Sequence, residues 1–76
     1  MTKVGCALKE HRQENEMSLR AVQFVSGISN AHICQIEKGK RYPSFKTIAI
    51  LSIAYELEYL DIINLYERCL EDLEND

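Results

Sequence analysis

The sequence has little of what staples or tethers many small proteins. Its three cysteines, Cys6, Cys34 and Cys69, are odd in number, far apart and without a C-x-x-C pair. That argues against a disulfide framework or a zinc module, and the expectation is free, packed thiols in a reducing compartment. No apolar run approaches the roughly 20 residues of a membrane span. The start, "MTKVGCALKEHRQ", lacks the apolar stretch of a secretory signal, so a cytoplasmic protein with no membrane partner is expected. There is no phosphate loop, no nucleophile–base set and no metal-ligand spacing, so neither an enzyme nor a cofactor or metal site is expected. Strand-like alternation, internal repeats and low-complexity linkers are all missing. Seventy-six residues hold one small domain with a limited core, a size that often needs a staple or a partner to be comfortably stable.

The net charge of −3 conceals a division. Residues 1–46 carry eight lysines and arginines against four glutamates; residues 47–76 carry Arg68 alone against eight carboxylates. An anionic partner on the N-terminal side and an acidic tail turned away from it would suit this pattern, although an uneven surface charge is commonly just solvated.

Short helices with compact breaks account for the rest. Val4, Ala7, Leu8 and His11 recur at helical spacing, predicting a first helix over roughly 3–15. Ser18 is a good N-cap for a second, roughly 18–25. Gly27 supplies the left-handed backbone of a tight turn, Ser29 caps a third helix to about 37, and Gly39 ends it. After a loop with the only proline, Pro43, Ser44 caps a fourth helix to about 56. "EYLD" turns the chain into a fifth, about 60–74, with apolar residues at 62, 63, 66, 69, 70 and 73. The fold class is all-α, with five helices over one domain, 1–76.

Two helices of about eight residues joined by a turn at Gly27 are the outline of a helix-turn-helix, about 18–37. Val22, Ile28, Ile33 and Ile36 would pin the two together. The far face of the second would be free to enter a DNA major groove.

The stretch "SLRAVQFVSGISNAHICQIEKGKRYPS" resembles the Cro/lambda-repressor-like (Xre) helix-turn-helix family. The shared pattern is Ser18, an aliphatic at 22, Gly27-Ile28-Ser29, an aliphatic at 33, Gln35-Ile36-Glu37-x-Gly39-Lys40 and Pro43-Ser44. It covers about residues 4–65. The resemblance implies a lambda-repressor-like DNA-binding domain and a transcriptional regulator. It also implies that Arg12 and Glu37 form the pair that bridges the first helix to the end of the reading helix in phage-repressor relatives. The chain departs from the pattern at Gln23, where alanine is usual, at Ser26 and His11, where leucine is common, and at Leu19. Leu19 replaces a glutamine that helps to hold a phosphate. His11 reads as a histidine at the core edge rather than a ligand; a pH sensor there has no support in the neighbouring sequence.

With Ile33 and Ile36 turned inward at about 100° per residue, Ala31, Cys34, Gln35 and Lys38 point away, and Asn30 and His32 flank them. His32 and Cys34 are about 200° apart on this geometry and cannot grip one metal from the same turn. The residues expected to read bases are Asn30, Ala31, Cys34 and Gln35, since amides bond bidentately to adenine and small apolar groups pack on a thymine methyl. Ser18, Ser29, His32, Lys38, Lys40 and Arg41 are expected on the DNA backbone. The plain alternative is a solvated helix face in a protein-interaction module.

Ile50 and Ile53 make the fourth helix apolar beyond the side that Ile48, Leu51 and Ser52 would bury, and the fifth helix is long and apolar. Helices apolar over so wide an arc need a second surface. A homodimer is expected through Ile50, Ile53, Ile62, Ile63, Tyr66, Leu70 and Leu73, unless helix five simply folds back over helix four. The expected function is a sequence-specific regulator of double-stranded DNA, a repressor binding a palindromic operator as a homodimer, with a regulatory protein partner left open. The alternatives are a restriction–modification controller that also activates, and an antitoxin-like interaction module.

Overall fold

The computed structural model describes residues 2–75. Met1 and Asp76, the two ends of the domain expected over 1–76, lie outside the described residues. Five helices follow one another, α1 (Lys3–Glu14), α2 (Leu19–Ser26), α3 (Asn30–Glu37), α4 (Phe45–Ala54) and α5 (Tyr59–Glu74), with no strand among the described residues. The fold is all-α, as the periodicity predicts.

Local chemistry sets most of the helix starts. The side chains of Thr2, Ser18, Ser29 and Ser44 each accept a bond from the backbone N–H three residues on, satisfying one of the donors that a helix N-terminus leaves unpaired. Helix α5 starts after Glu58 with no such bond. The ends of α1, α3 and α4 share one device. Met17 N–H donates to the Arg12 carbonyl, Lys40 N–H to Gln35 and Leu57 N–H to Ser52, each across a left-handed residue: Glu16 at φ 55°, Gly39 at 77° and Glu56 at 53°. Two of the three left-handed positions are therefore filled by glutamate, where glycine is free of Cβ strain. Glu56 in this conformation is also why α4 closes at Ala54, two residues short of the sequence expectation, and why α5 starts at Tyr59.

The core is a single cluster: Val4, Ala7 and Leu8 of α1, Val22 of α2, Ile33 and Ile36 of α3, Ile48, Leu51 and Tyr55 of α4, and Leu65 and Cys69 of α5. Helix α2 buries only Val22 outright, a side chain worth about 2 kcal/mol of apolar burial. Its angle therefore depends on the turn at Gly27, left-handed at φ 77° as expected, and on half-buried Met17, Leu19 and Ile28. Helix α1 approaches the end of α3 so closely that a Cβ on Gly5 would overlap the Ile36 carbonyl oxygen. Ser52, inside the core, donates to the Ile48 carbonyl at 2.7 Å.

The two ends of the chain are tied together. The carboxylate of Asp72 in α5 accepts the first two amides of α1, Lys3 at 2.8 Å and Val4 at 2.9 Å, and Lys3 Nζ pairs with Glu71 at 2.6 Å. An anion at a helix N-terminus offsets the unpaired donors and the positive end of the dipole. This contact seats part of the acidic tail on α1, and α1 in turn carries Arg12, which grips the end of α3.

Candidate nucleic-acid interface

Helices α2 and α3 meet at Gly27, and α3 is held by bonds at both ends. At its C-terminal end, Arg12 of α1 grips Glu37 through two bonds, Nε to Oε2 at 2.7 Å and Nη2 to Oε1 at 3.0 Å. Their side chains are 14% and 6% exposed, so the pair is largely shielded from water. The remaining terminal nitrogen of Arg12, Nη1, donates to the Met17 carbonyl at 2.9 Å. One guanidinium thus joins α1, the α1–α2 turn and the end of α3, and its bonds to Glu37 hold it protonated above even its ordinary range, against the cost of burial. The ion pair implied by the family resemblance is present.

Beside this pair stands the Tyr55 ring, 2% exposed, with a buried hydroxyl that has no hydrogen-bond partner among the described residues. Its pKa is pushed up to about 12, first by burial and then by the Glu37 carboxylate, with Arg12 opposing.

At the N-terminal end of α3, Ser29 Oγ accepts from the His32 amide at 3.2 Å, and Gln23 Oε1 accepts from the Asn30 amide at 2.7 Å. Gln23 also takes the Asn30 side chain, Nδ2 to Oε1 at 2.9 Å.

The residues expected to meet DNA divide by exposure. Ala31 and Gln35 are fully presented, and Ser18, Ser29, Lys38, Lys40 and Arg41 are exposed around them. Asn30 and His32 are half-buried flanks, as the helical geometry predicts. Cys34 is half-buried too and turns toward α1. There it lines a cleft of about 330 Å³ with Lys9, Arg12, Leu19, Glu37 and Lys38. Lys9 and Leu19 join the site through this cleft, although the sequence reading gave Lys9 no role. Lys9, Lys38, Lys40 and Arg41 have no ion-pair partner among the described residues. His32 and Cys34 share no site, all three cysteines are free, and no group of three or more His, Cys, Asp or Glu among the described residues could hold a metal.

The expected pairing surface is likewise split. Ile53 is 78% exposed and Leu70 and Leu73 are about half exposed, whereas Ile50, Ile62, Ile63 and Tyr66 are half-buried. Tyr66 is partly occupied within the chain: its ring meets Phe45 edge-on at 5.1 Å and its hydroxyl donates to the Phe45 carbonyl at 3.2 Å. Ile53, Ile62 and Tyr66 line an apolar groove of about 310 Å³ between α4 and α5. Two residues outside the expected set, Tyr59 and Leu60, stand 76% and 72% exposed at the start of α5. Tyr59, Ile63, Tyr66, Leu70 and Leu73 are spaced four, three, four and three apart. At about 100° per residue this is one stripe down α5, the pattern of a helix-pairing seam. Phe24, left unplaced by the sequence, is an exposed residue of α2.

No helix among the described residues is long and apolar enough to cross a membrane. A family model described as helix-turn-helix matches residues 8–62, ending within the first turn of α5. Neither a curated protein nor a solved structure matches the chain.

Proposed function

The chain belongs to this helix-turn-helix family, a DNA-binding transcription regulator of the Xre type, and from that premise we propose that it is a repressor reading a palindromic operator as a homodimer. The observation that carries the reading is the fixing of α3 at both ends, by Arg12–Glu37 and by Ser29 with Gln23, while Ala31 and Gln35 face outward. A helix held this rigidly meets base edges without an ordering cost on binding.

In this reading α3 lies in the major groove. Gln35 and Asn30 offer amides to adenine, Ala31 packs on a thymine methyl, and Cys34 contacts the base at the α1 edge of the groove. Ser18, Ser29, His32, Lys38, Lys40 and Arg41 hold the flanking phosphates, with Lys38 at the rim of the cleft between α1 and α3. Each phosphate neutralised releases counterions, so affinity falls steeply with salt.

One α3 reads only a few base pairs. Two copies joined by two-fold symmetry read a palindrome with half-sites about 34 Å apart. The exposed Ile53, Tyr59 and Leu60, with the α5 stripe, supply the apolar surface for that pairing. The same surface favours the second reading, an interaction module that needs a different protein. Selection of bound sequences from random duplex DNA, with light scattering on the free protein, separates the two. A palindrome recovered by a dimer supports the repressor. A monomer that enriches no sequence contradicts it.

A further inference from the structure

We infer that Gln23, on the first helix of the motif, is a specificity-determining residue that acts by fixing the side chain of Asn30. This rests on the DNA-reading role proposed for α3.

The geometry leaves little choice of amide orientation. The Asn30 backbone N–H can only donate, so the Gln23 atom 2.7 Å from it is the carbonyl oxygen. The Asn30 side-chain atom 2.9 Å from that same oxygen must then be its nitrogen, because two carbonyl oxygens would repel. Both amides are oriented before any DNA arrives. One Nδ2 hydrogen of Asn30 is used by Gln23. The other hydrogen and Oδ1 take no bond among the described residues; with Gln23 on the hydrogen trans to Oδ1, the one left stands beside Oδ1 as the donor–acceptor pair that matches N7 and the N6 amino group of adenine. A free asparagine side chain would have to find this orientation on binding; here it is set in the unbound protein. The chain places glutamine seven residues before Asn30, across the turn at Gly27, where its side chain reaches the first residue of α3. Gln23 is itself exposed, so burial does not account for its presence.

The test compares sequences selected from random duplexes by wild type, Gln23→Ala and Gln23→Glu. Glutamate offers the same acceptor to both Asn30 donors. Gln23→Ala should lose about tenfold preference at one base pair per half-site and keep the preferences elsewhere, with the salt slope unchanged. Gln23→Glu should keep that base preference while binding all sequences more weakly, through its charge near phosphates. Adding Asn30→Ala to Gln23→Ala should cost almost nothing further at that base pair. In the free protein, NMR should show one dispersed pair of Asn30 side-chain amide protons that collapses toward random-coil positions in Gln23→Ala, while the backbone spectrum persists. If Gln23→Ala keeps every base preference, or weakens all sequences evenly, the inference is overturned although the repressor reading stands. If the wild type enriches no sequence, the reading beneath it fails and takes the inference with it.

Discussion

The face built around α3 and the face built from α4 and α5 are made by opposite means. Around α3, directional bonds do the fixing: a two-point ion pair at one end, a serine cap and a glutamine clamp at the other. The α4–α5 face has an uncapped helix start, an apolar groove and large side chains in water at Ile53, Tyr59 and Leu60. The difference teaches how each face suits the role proposed for it. Polar locks fix an angle and leave the outward residues free to recognise. Apolar surface without a cover gains only when something buries it. On the proposed function, breaking the first face should therefore disturb the fold and the reading together, whereas breaking the second should leave the fold and remove only the proposed pairing.

The largest expected effect is on the polar side. Glu37→Ala strands a shielded guanidinium and should cost about 3–5 kcal/mol of stability in denaturant unfolding. Replacing Arg12 and Glu37 together by methionine should cost far less than either single change, yet still blur base preference, because α3 then lacks its end grip. If Glu37→Ala melts like wild type, the polar half of the comparison is wrong.

Next comes the buried phenol beside that pair. The Tyr55 pKa is raised from 10.0 to about 12, so the contribution of its protonated form is fully present below pH 10 and lost as the pH climbs through about 12. That loss should amount to about 3 kcal/mol in all, roughly half of it already gone at pH 11, and vanish in Tyr55→Phe. Because the hydroxyl has no partner among the described residues, Tyr55→Phe should be no less stable than wild type at pH 7. Unfolding curves at pH 7 and pH 11 for both proteins check the two statements at once.

On the apolar side, Leu60→Asp should leave the melting of dilute protein unchanged and weaken self-association at least about tenfold by sedimentation equilibrium. A lowered melting temperature with intact pairing would reverse the roles assigned to the two faces. The smallest effect is local: Glu56→Gly relieves a left-handed glutamate and should stabilise by roughly 0.5–1 kcal/mol, read as a small shift in the urea midpoint.

The sequence makes much of the α3 face legible, because its signals are local. Caps at Ser18, Ser29 and Ser44 and the left-handed Gly27 announce themselves within three residues. The inward pair Ile33 and Ile36 fixes by rotation which neighbours face out. Arg12–Glu37, 25 residues apart, came from family resemblance and not from spacing. What stayed hidden depends on contacts that no period encodes. Gln23 reads as a departure from alanine until its oxygen is seen on Asn30. Asp72 reads as tail charge until it is found on the first amides of α1, some seventy residues back. Glu16 and Glu56 give no hint of a positive φ, so the periodicity carries α4 two residues past its end at Ala54. Leu65 is core though outside the apolar pattern of the expected fifth helix, and Tyr59 and Leu60, at the turn into that helix, stand exposed, which no period foretells.

The most direct test of the account is the stoichiometry of the protein on the duplex it selects, measured by sedimentation at low and physiological salt for wild type and Leu60→Asp. The account predicts two wild-type chains on a palindrome with half-sites about 34 Å apart, and a Leu60→Asp variant that occupies single half-sites with its base preferences intact. One wild-type chain at full affinity, or a Leu60→Asp variant that still binds in pairs, would contradict it.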